Sequence, residues 1–465
     1  PSLKGWTAGV VLVFLMCFLA LLSRGFDYEV QDQQKPILWL VGGMMAAGII
    51  HLFAVSSFRR IRLDRRMAIG FIALGLAMRM PMFVSTPMLE DDHFRYLWDG
   101  GVLAHGFNPY QYSPKAVRDG GASQIPAALR AMAREYGSRL ENINYPWLRT
   151  IYPPLTQCGF ALAHLLKPWN LKAWRVILLI FDLVTLALLY ALFRRLNIPM
   201  TGLVIYWWNP LLIKEIYNSG HMEVMLFPFV LGAIFLALDQ KYLWASLAVG
   251  LAVGVKFWPA LLWPVLLRPI LGDPRRIIAP GLCFVALAAA TFYPFYLTGL
   301  GEDSGLTSYG RVWEMNDALF MIVLWMVRFF KGLLNMDGIS SQTMSRLIVA
   351  SLVLILTLWI IRAREDSPLK LNDRVLFVIA ALFLLSPTQF PWYYLWLLTL
   401  LAIRPQYEIL FLSVTLPLYY LRFYFDVRGM AHVHDTGVVW LEFLPIWVWL
   451  VKVCGQFVKK RVILS

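Results

Sequence analysis

The run WTAGVVLVFLMCFLALLS (Trp6–Ser23) contains no charged residue. About 20 predominantly apolar residues suffice for a helix to cross a bilayer. No small-residue cleavage site follows it, so we expect a retained transmembrane helix and not a signal peptide. The remaining chain has the same character, with 59% hydrophobic and 15% charged residues among 465 and a mean hydropathy of +0.62. Because soluble domains are about half apolar and about a quarter charged, the sequence predicts an integral membrane protein.

Lysine and arginine are concentrated in short segments between apolar runs: RRIRLDRR (Arg59–Arg66), RRLN (Arg194–Asn197), DPRR (Asp273–Arg276) and KKRVILS (459–465). Short cytoplasmic loops of membrane proteins carry an excess of these residues. The net charge of +14 therefore indicates topology and not nucleic-acid binding. With Arg59–Arg66 inside, the N-terminus is also inside, and the segment after the third apolar run is outside.

The apolar runs predict an all-α polytopic membrane protein with about 12–15 transmembrane helices. They lie near residues 6–23, 36–57, 67–87, 171–193, 199–213, 222–239, 242–267, 277–298, 344–362, 374–388, 391–404, 407–424 and 437–454. Two shorter stretches, 153–167 and 317–333, are compatible with spanning, re-entrant or surface helices. We expect a single domain over residues 1–465, with a large outer loop at 88–152 that holds short juxtamembrane helices.

That outer loop begins with LEDDHFRYLWDGGVLAHGFNPYQY (Leu89–Tyr112), which is unusually polar for this chain. Its adjacent carboxylates, Asp91 and Asp92, follow directly on a predicted membrane helix. A carboxylate at such a position can act as a general base toward an acceptor hydroxyl. The alternative is an ordinary solvated loop carboxylate or a helix N-cap.

The surrounding motifs resemble the GT-C superfamily of integral-membrane glycosyltransferases, in particular its bacterial polyprenyl-phosphate-mannose-dependent branch. The motifs are Asp-x-x-Arg-Tyr-x-Trp-Asp-Gly (Asp92–Gly100), Gly-x-Asn-Pro-Tyr (Gly106–Tyr110) and Tyr-Pro-Pro-Leu (Tyr152–Leu155). Later stretches are similar to further family elements: WWNPLLIKEIYNSGHMEV (207–224), LAVGLAVGVKFWPALLWP (247–264) and LLSPTQFPWYYLW (384–396). The family pattern fixes only the second aspartate, Asp92, and here two helices precede the usual first helix.

The resemblance implies a GT-C-like bundle that transfers a hexose, with mannose favoured, from a polyprenyl-phosphate donor to a glycolipid or lipid-linked glycan. The reaction is expected to be inverting. It would take place on the periplasmic side of a bacterial inner membrane. The site would lie at the membrane surface, since a lipid-borne donor must enter from the bilayer. The resemblance gives Asp92 the role of general base, with Asp91 as its electrostatic or hydrogen-bonding partner.

Cationic side chains would stabilise the charge that develops on the leaving phosphate. The candidates are Lys256, Arg95, Lys214 and Arg311. Lys256 interrupts an apolar run, where an ionisable residue favours function; the alternative is that its side chain extends to the membrane interface. Lys214 and Arg311 are equally compatible with ordinary loop cations.

Residues expected to bind the sugar or acceptor share a polar or aromatic character within the quoted motifs: His221, Glu223, Glu215, Trp98, Tyr152, Trp392 and Tyr393. For the His221–Glu223 pair the alternative is helix capping. For Trp392 and Tyr393 the alternative is an interfacial aromatic belt.

We expect no cofactor and no metal site, although His432, His434 and Asp435 have a spacing that can hold a metal. The four cysteines form no CxxC pair, and no nucleotide-binding glycine motif is present. Two other functions remain open: an outer-leaflet glycan ligase or polymerase with a lipid-pyrophosphate donor, and a transporter or flippase of lipid-linked sugars. The lack of an internal repeat weighs against the transporter.

Overall fold

The computed structural model describes residues 2–58, 65–120, 125–336, 338–362 and 367–452. Helices dominate these residues, and the extended pairings among them are two isolated bridges, Arg149 with Ser304 and Met315 with Thr388. The fold is therefore all-α, as predicted. The basic segment at 59–64 and the tail at 459–465, on which the predicted orientation partly depends, lie outside the described residues.

The helices of the first part of the chain are α1 (Ser2–Leu22), α2 (Ile37–Phe58), α3 (Arg65–Val84), α4 (Asp92–Ala104), α5 (Pro114–Asp119), α6 (Ala127–Tyr136), α7 (Pro154–Leu166) and α8 (Leu171–Leu196). The middle part contains α9 (Leu203–Trp207), α10 (Pro210–Ile213), α11 (Phe227–Leu238), α12 (Tyr242–Val255), α13 (Trp263–Leu266) and α14 (Pro274–Thr298). The last part contains α15 (Gly305–Val312), α16 (Ala318–Leu333), α17 (Ser341–Arg362), α18 (Pro368–Leu385), α19 (Pro391–Ile403), α20 (Tyr407–Thr415), α21 (Leu421–Asp426), α22 (Ala431–Val433) and α23 (Val439–Glu442).

Among the described residues, six helices are long and apolar enough to span a membrane: Leu3–Phe26, Ile37–Phe58, Arg66–Val84, Leu171–Leu196, Pro274–Thr298 and Ser341–Arg362. A seventh span would combine Pro210–Asn218 with Met222–Leu238, which are bent by 101° at the break between them. The sequence predicted 12–15 spans, so it gave the class of fold correctly and overestimated the number of uninterrupted helices.

The overestimate has a physical cause in the buried, interrupted segments. Every residue of α19 is buried, so its apolar composition reflects a protein interior as much as a lipid environment. The predicted span at 407–424 is divided into α20, a 3₁₀ turn at Leu416–Tyr420 with Pro417 near its start, and α21. An apolar window does not distinguish such a broken helix from a spanning one.

The long helices connect two faces of the bundle. On one, which we call the basic face, Arg195 pairs with Asp239 at 3.1 Å and Arg268 Nε donates to the carbonyl of Ile361 at 2.7 Å. On the other, the site face, Arg149 from the 88–152 loop donates to the carbonyl of Thr298 at 2.6 Å. The 88–152 loop therefore lies at the end of the bundle opposite the basic residues.

The stretch at 153–167, for which three arrangements were compatible with the sequence, forms the short helix α7 at the site face. Its 13 residues cover only about 20 Å at 1.5 Å per residue, less than the hydrocarbon thickness of about 30 Å. It packs against α4 and α8. Since α7 stays at the site face, α8 begins there and carries Arg194 and Arg195 to the basic face.

A buried ion pair joins α3 and α8 within the bundle. Arg79 Nε lies 2.8 Å from Asp182 Oδ2, and both side chains are at most 2% exposed. Tyr206 and Tyr217 donate to the same carboxylate at 2.6 and 2.5 Å. The guanidinium also lies 3.5 Å from the ring centroid of Trp207. This network fixes α3, which leads directly to the outer loop.

We expect Asp182→Ala to destabilise the protein by about 3–5 kcal/mol, because it leaves Arg79 buried without its counter-charge. Thermal unfolding of the purified protein in detergent measures the effect. The control Asp182→Asn keeps acceptor capacity for the tyrosines, and the double variant Arg79→Met with Asp182→Leu removes both charges. An unchanged unfolding midpoint for Asp182→Ala would contradict this account of the network.

Candidate active site

A cavity of about 620 Å³ lies at the site face between the 88–152 loop and the C-terminal helices. Of the residues proposed from sequence, it is lined by Asp91, Asp92, Arg95, Tyr152, Lys256, Trp392 and Tyr393. They come from segments more than 300 positions apart in the chain. The fold thus brings together the acidic pair, two cations and three aromatic residues from four separate motifs.

The acidic pair lies where α4 begins. Asp91 occupies the N-cap position without capping the helix through its side chain, and Asp92 is the first helical residue. Asn144 Nδ2 donates to Asp91 Oδ1 at 2.6 Å and to Asp92 Oδ1 at 3.2 Å. Tyr96, one turn along α4, donates to Asp92 Oδ2 at 3.2 Å. The two carboxylates are therefore held side by side by one amide from the far end of the loop.

The burial of these carboxyl groups raises their pKa values. Burial, with an added contribution from the charge of Asp92, raises the pKa of Asp91 to about 7. Burial also raises the pKa of Asp92, while the hydrogen bonds from Asn144 and Tyr96 oppose that rise by stabilising its carboxylate. A carboxylate whose pKa is raised toward neutrality is a stronger base than a solvated aspartate.

Arg95 lines the cavity and also holds the loop in place. Its Nε pairs with Asp99 Oδ1 at 2.8 Å and its Nη1 donates to the carbonyl of Leu148 at 2.9 Å. Gln157 Nε2 donates to the other oxygen of Asp99 at 3.1 Å. The buried Nη2 of Arg95 has no hydrogen-bond partner. Most of this guanidinium therefore holds the loop in place, and Nη2 itself is shielded by the surrounding protein.

Lys256 follows the last residue of α12, where the backbone turns to an extended conformation (φ −154°, ψ 143°). Its Nζ lies 2.6 Å from Glu223 Oε1 and above the rings of Tyr393 and Trp396, at 3.9 and 4.7 Å from their centroids. The side chain is 21% exposed. Lys256 is thus a fixed, partly accessible cation at an aromatic wall of the cavity.

Three of the predicted binding residues lie behind the cavity wall. Lys214, Glu215 and His221 are fully buried and are not among the residues that line the cavity. Lys214 lies 3.5 Å from Glu215 Oε1 and donates to Tyr420. The structure therefore does not bring Lys214 to the position expected of a phosphate ligand, because a π-helical segment at Lys214–Asn218 directs it into the bundle interior.

His221 connects this interior group with the acidic pair. Its Nδ1 lies 3.8 Å from Asp92 Oδ2 and its Nε2 lies 3.4 Å from Glu215 Oε2. Its ring stacks on Trp392 with centroids 3.9 Å apart. Glu223 is also buried, with Oε2 lacking a hydrogen-bond partner. These side chains act on the cavity through Asp92, Trp392 and Lys256 and not by direct exposure to it.

Trp98 and Arg311 lie outside the cavity lining. Trp98, 2% exposed, packs against Tyr136 and Trp169 with ring centroids 5.8 and 6.3 Å away. Arg311 is exposed on α15. The first is part of the loop's own core, and the second lies on the surface, so the structure groups neither with the acidic pair.

Aromatic rings form one wall of the cavity. Tyr393 stacks on Trp396 at 4.6 Å between centroids, and Trp396 contacts Trp258 at 5.1 Å. The buried indole nitrogens of Trp258 and Trp396 have no hydrogen-bond partner. Flat rings that line a cavity suit the apolar face of a pyranose.

Several cavity residues were missed by the sequence reasoning. Glu90, 7% exposed with Oε1 unpartnered, borders the acidic pair, and burial raises its pKa well above the usual range. Its position beside Asp91 was the only available signal. Asn144 lies in the 88–152 loop but was given no role. Arg422, which donates to the thioether of Met315, had no recognisable motif around it.

Comparison with known proteins gives two matches. A family model described as "Alpha-(1->6)-mannopyranosyltransferase, N-terminal domain" matches residues 8–270. A protein of Mycobacterium tuberculosis named "Alpha-(1->6)-mannopyranosyltransferase A" is 24% identical over 345 residues, which are 69% of this chain and 63% of that protein. The chain thus matches less than two thirds of the length of this relative. The family match includes the acidic pair, Arg95 and Lys256.

Proposed function

Because the chain belongs to the alpha-(1->6)-mannopyranosyltransferase family, we propose that it transfers a mannosyl unit from a polyprenyl-phosphate donor to a glycolipid or lipid-linked glycan. The observation that carries this proposal is the cavity at the site face, where two carboxylates, cations and an aromatic wall meet. A donor carried by a lipid can enter such a cavity while its lipid chain stays in the bilayer. A single displacement at the sugar carbon makes the reaction inverting.

Asp92 is the general base of the proposed reaction. The acceptor hydroxyl gives its proton to Asp92 while its oxygen bonds to C1 of the sugar and the C1–O bond to the donor phosphate breaks. The departing polyprenyl phosphate keeps the bonding electron pair. The raised pKa of Asp92 suits this role, and the hydrogen bonds of Asn144 and Tyr96 orient the carboxylate. Asp91 shares Asn144 and adds negative charge beside the forming oxocarbenium-like centre.

In this proposal the leaving phosphate is stabilised by cations of the cavity lining. Lys256 and Arg95 are two of these groups, and Arg422 on α21 is a third. Charge-assisted contacts of this type stabilise a transition state more than a ground state when the charge develops during reaction. Arg149, although it lines the cavity, is held by backbone carbonyls and Asp303 and has a structural role.

The sugar occupies the aromatic wall in this proposal. Trp392, Tyr393 and Tyr152 supply stacking surface, and Tyr309 OH lies 3.1 Å from the Tyr393 hydroxyl. His221, Glu215 and Glu223 support this wall and the base from behind.

We also propose the cellular setting. Residues 1–465 form one glycosyltransferase domain with the 88–152 loop on the periplasmic side of a bacterial inner membrane. The basic face is then cytoplasmic, in agreement with the excess of Lys and Arg in cytoplasmic loops. No cofactor takes part in the proposed reaction.

We expect purified protein to form a new mannosyl linkage when it is given polyprenyl-phosphate mannose and a membrane lipid extract, detected by mass spectrometry of the product. Two control donors are tested in parallel: polyprenyl-phosphate glucose and a lipid pyrophosphate that carries mannose. Turnover only with the pyrophosphate would favour a ligase or polymerase. Movement of donor across vesicles without bond formation would favour a flippase, and either result would overturn the proposal.

A further inference from the structure

A second cavity of about 620 Å³ opens at the site face between the ends of α3 and α7 and the start of α8. It is lined by Val84, Ser85, Leu166, Lys167, Asn170, Leu171, Lys172, Ala173, Arg175 and Val176. It shares no lining residue with the candidate active site. It borders the end of α3, a few residues before the acidic pair, and the proposed reaction gives it no role.

The lining of this cavity carries positive charge without a compensating carboxylate. Lys167, Lys172 and Arg175 line it, and none of its ten lining residues is acidic. Both lysines are exposed. Three cations around one cavity predict an anionic ligand.

Arg175 is the most informative of the three. It is 1% exposed and donates to the carbonyls of Phe83 and Ser85 at 2.8 and 2.9 Å and to that of Asn218 at 2.5 Å. Its buried Nε has no hydrogen-bond partner, and among the described residues no carboxylate lies within ion-pair distance. Carbonyl groups solvate a guanidinium but do not neutralise it, and an unneutralised charge at membrane depth is costly.

The start of α8 adds favourable electrostatics. This helix has 26 residues, and the side chain of Asn170 caps it by accepting from the amide of Ala173 at 3.2 Å. One capping contact leaves other first-turn amides for a ligand, since helices lack internal acceptors for them. The positive end of the helix dipole favours an anion at this point.

The surroundings of the cavity are apolar and exposed. Val84 is 61% exposed, Leu166 61% and Val176 38%, and Val84 and Val176 belong to helices long and apolar enough to span a membrane. A ligand held here would therefore have an anionic group beside the lysines and apolar chains along the candidate spans α3 and α8. We propose that this cavity binds the phosphate headgroup of an anionic phospholipid from the leaflet at the site face.

The bound lipid would also support the segment that carries the acidic pair. Arg175 holds the carbonyls at the end of α3, and Asn218 Oδ1 accepts from the amide of Met88 at 2.9 Å. Asn218 Nδ2 donates to Ser85 Oγ at 2.7 Å. Neutralising Arg175 therefore stabilises the residues that lead into Asp91.

The test uses the full-length protein in nanodiscs of phosphatidylcholine alone or of phosphatidylcholine with phosphatidylglycerol. We expect preferential retention of phosphatidylglycerol in native mass spectrometry and a higher unfolding midpoint in its presence. The double variant Lys167→Gln with Lys172→Gln should lower that retention about tenfold or more, since each lysine near an anionic lipid surface contributes substantially. Both lysines are exposed, so this variant should fold.

The matched control is Arg134→Gln with Arg139→Gln, which removes two exposed charges from the same outer loop outside this cavity. It should retain phosphatidylglycerol as the unmodified protein does. Equal retention by the lysine variant would overturn the proposal. So would equal stabilisation by phosphatidylcholine alone, or by inorganic phosphate in phosphatidylcholine nanodiscs, because the latter would identify a site for free anions. None of these readouts depends on glycosyl transfer.

Discussion

Asp92→Asn is expected to lower kcat about 10³-fold with little change in protein stability, because general-base catalysis typically contributes about 10²–10⁴-fold. The amide keeps the shape of the carboxylate and can still accept from Tyr96, which lies 3.2 Å away, but it cannot take the acceptor's proton. Initial rates with a polyprenyl-phosphate mannose donor, together with the unfolding midpoint, measure both quantities.

Asp91→Asn is the matched control, since it changes the neighbouring carboxylate that shares Asn144. Removing a like charge beside the base alters its pKa by about one unit, which changes the rate by at most about tenfold. If Asp91→Asn is the more damaging variant, the assignment of the base to Asp92 is wrong. Equal losses would indicate that the two carboxylates act as one unit.

The pH dependence supplies a second readout for the same residue. Burial raises the pKa of Asp92, and the base works only as a carboxylate, so activity should be lost as pH falls through that raised pKa. The acid limb of kcat/KM should therefore lie above the range of a solvated aspartate, whose pKa is about 3.9. Asp92→Asn should abolish this limb. A limb that persists in the variant would assign the titration to another group, with Asp91 and its pKa of about 7 the nearest.

The sequence predicted the class of fold because composition alone excludes a soluble protein. It did not predict the number of spans, since burial within protein and burial in lipid select the same apolar residues. Helix α19 is an example, since all of its apolar residues are buried within the protein. The 101° bend before α11 has a faint signal in Asn218–Gly220, but the direction of the bend depends on tertiary contacts.

In the first part of the chain, the sequence motifs identified residues that line the cavity. Asp92, Arg95 and Lys256 line it. Asp92 lies where α4 begins and Lys256 where α12 ends, both at the site face, and Arg95 lies one turn inside α4. The motif residues His221 and Glu215 were correctly grouped with one another, but sequence could not reveal that they face inward. Arg422 was missed because a single arginine in an aromatic stretch has no local pattern that distinguishes it.

Lys256→Met is expected to lower kcat/KM about 10²–10³-fold, the usual effect of removing one preorganised group that stabilises developing charge. The methionine retains the apolar stem against Tyr393 and Trp396 but lacks the cation above their rings. Steady-state kinetics with a short-chain polyprenyl-phosphate mannose donor measure the loss. Binding of the product, short-chain polyprenyl phosphate, should weaken as well, because the same cation contacts the phosphate after transfer.

Loss of stability is a second explanation of the lower activity, because Lys256 also neutralises Glu223, whose Oε1 lies 2.6 Å from its Nζ. A double variant separates this explanation from the loss of the catalytic cation. The double variant Lys256→Met with Glu223→Gln removes the carboxylate that would otherwise stay buried without its partner, so its unfolding midpoint should recover while its activity stays low. Arg422→Met tests another cation of the cavity lining. If that variant loses product binding and Lys256→Met does not, the phosphate lies against α21, and the donor is oriented with its lipid chain on the side of the C-terminal helices.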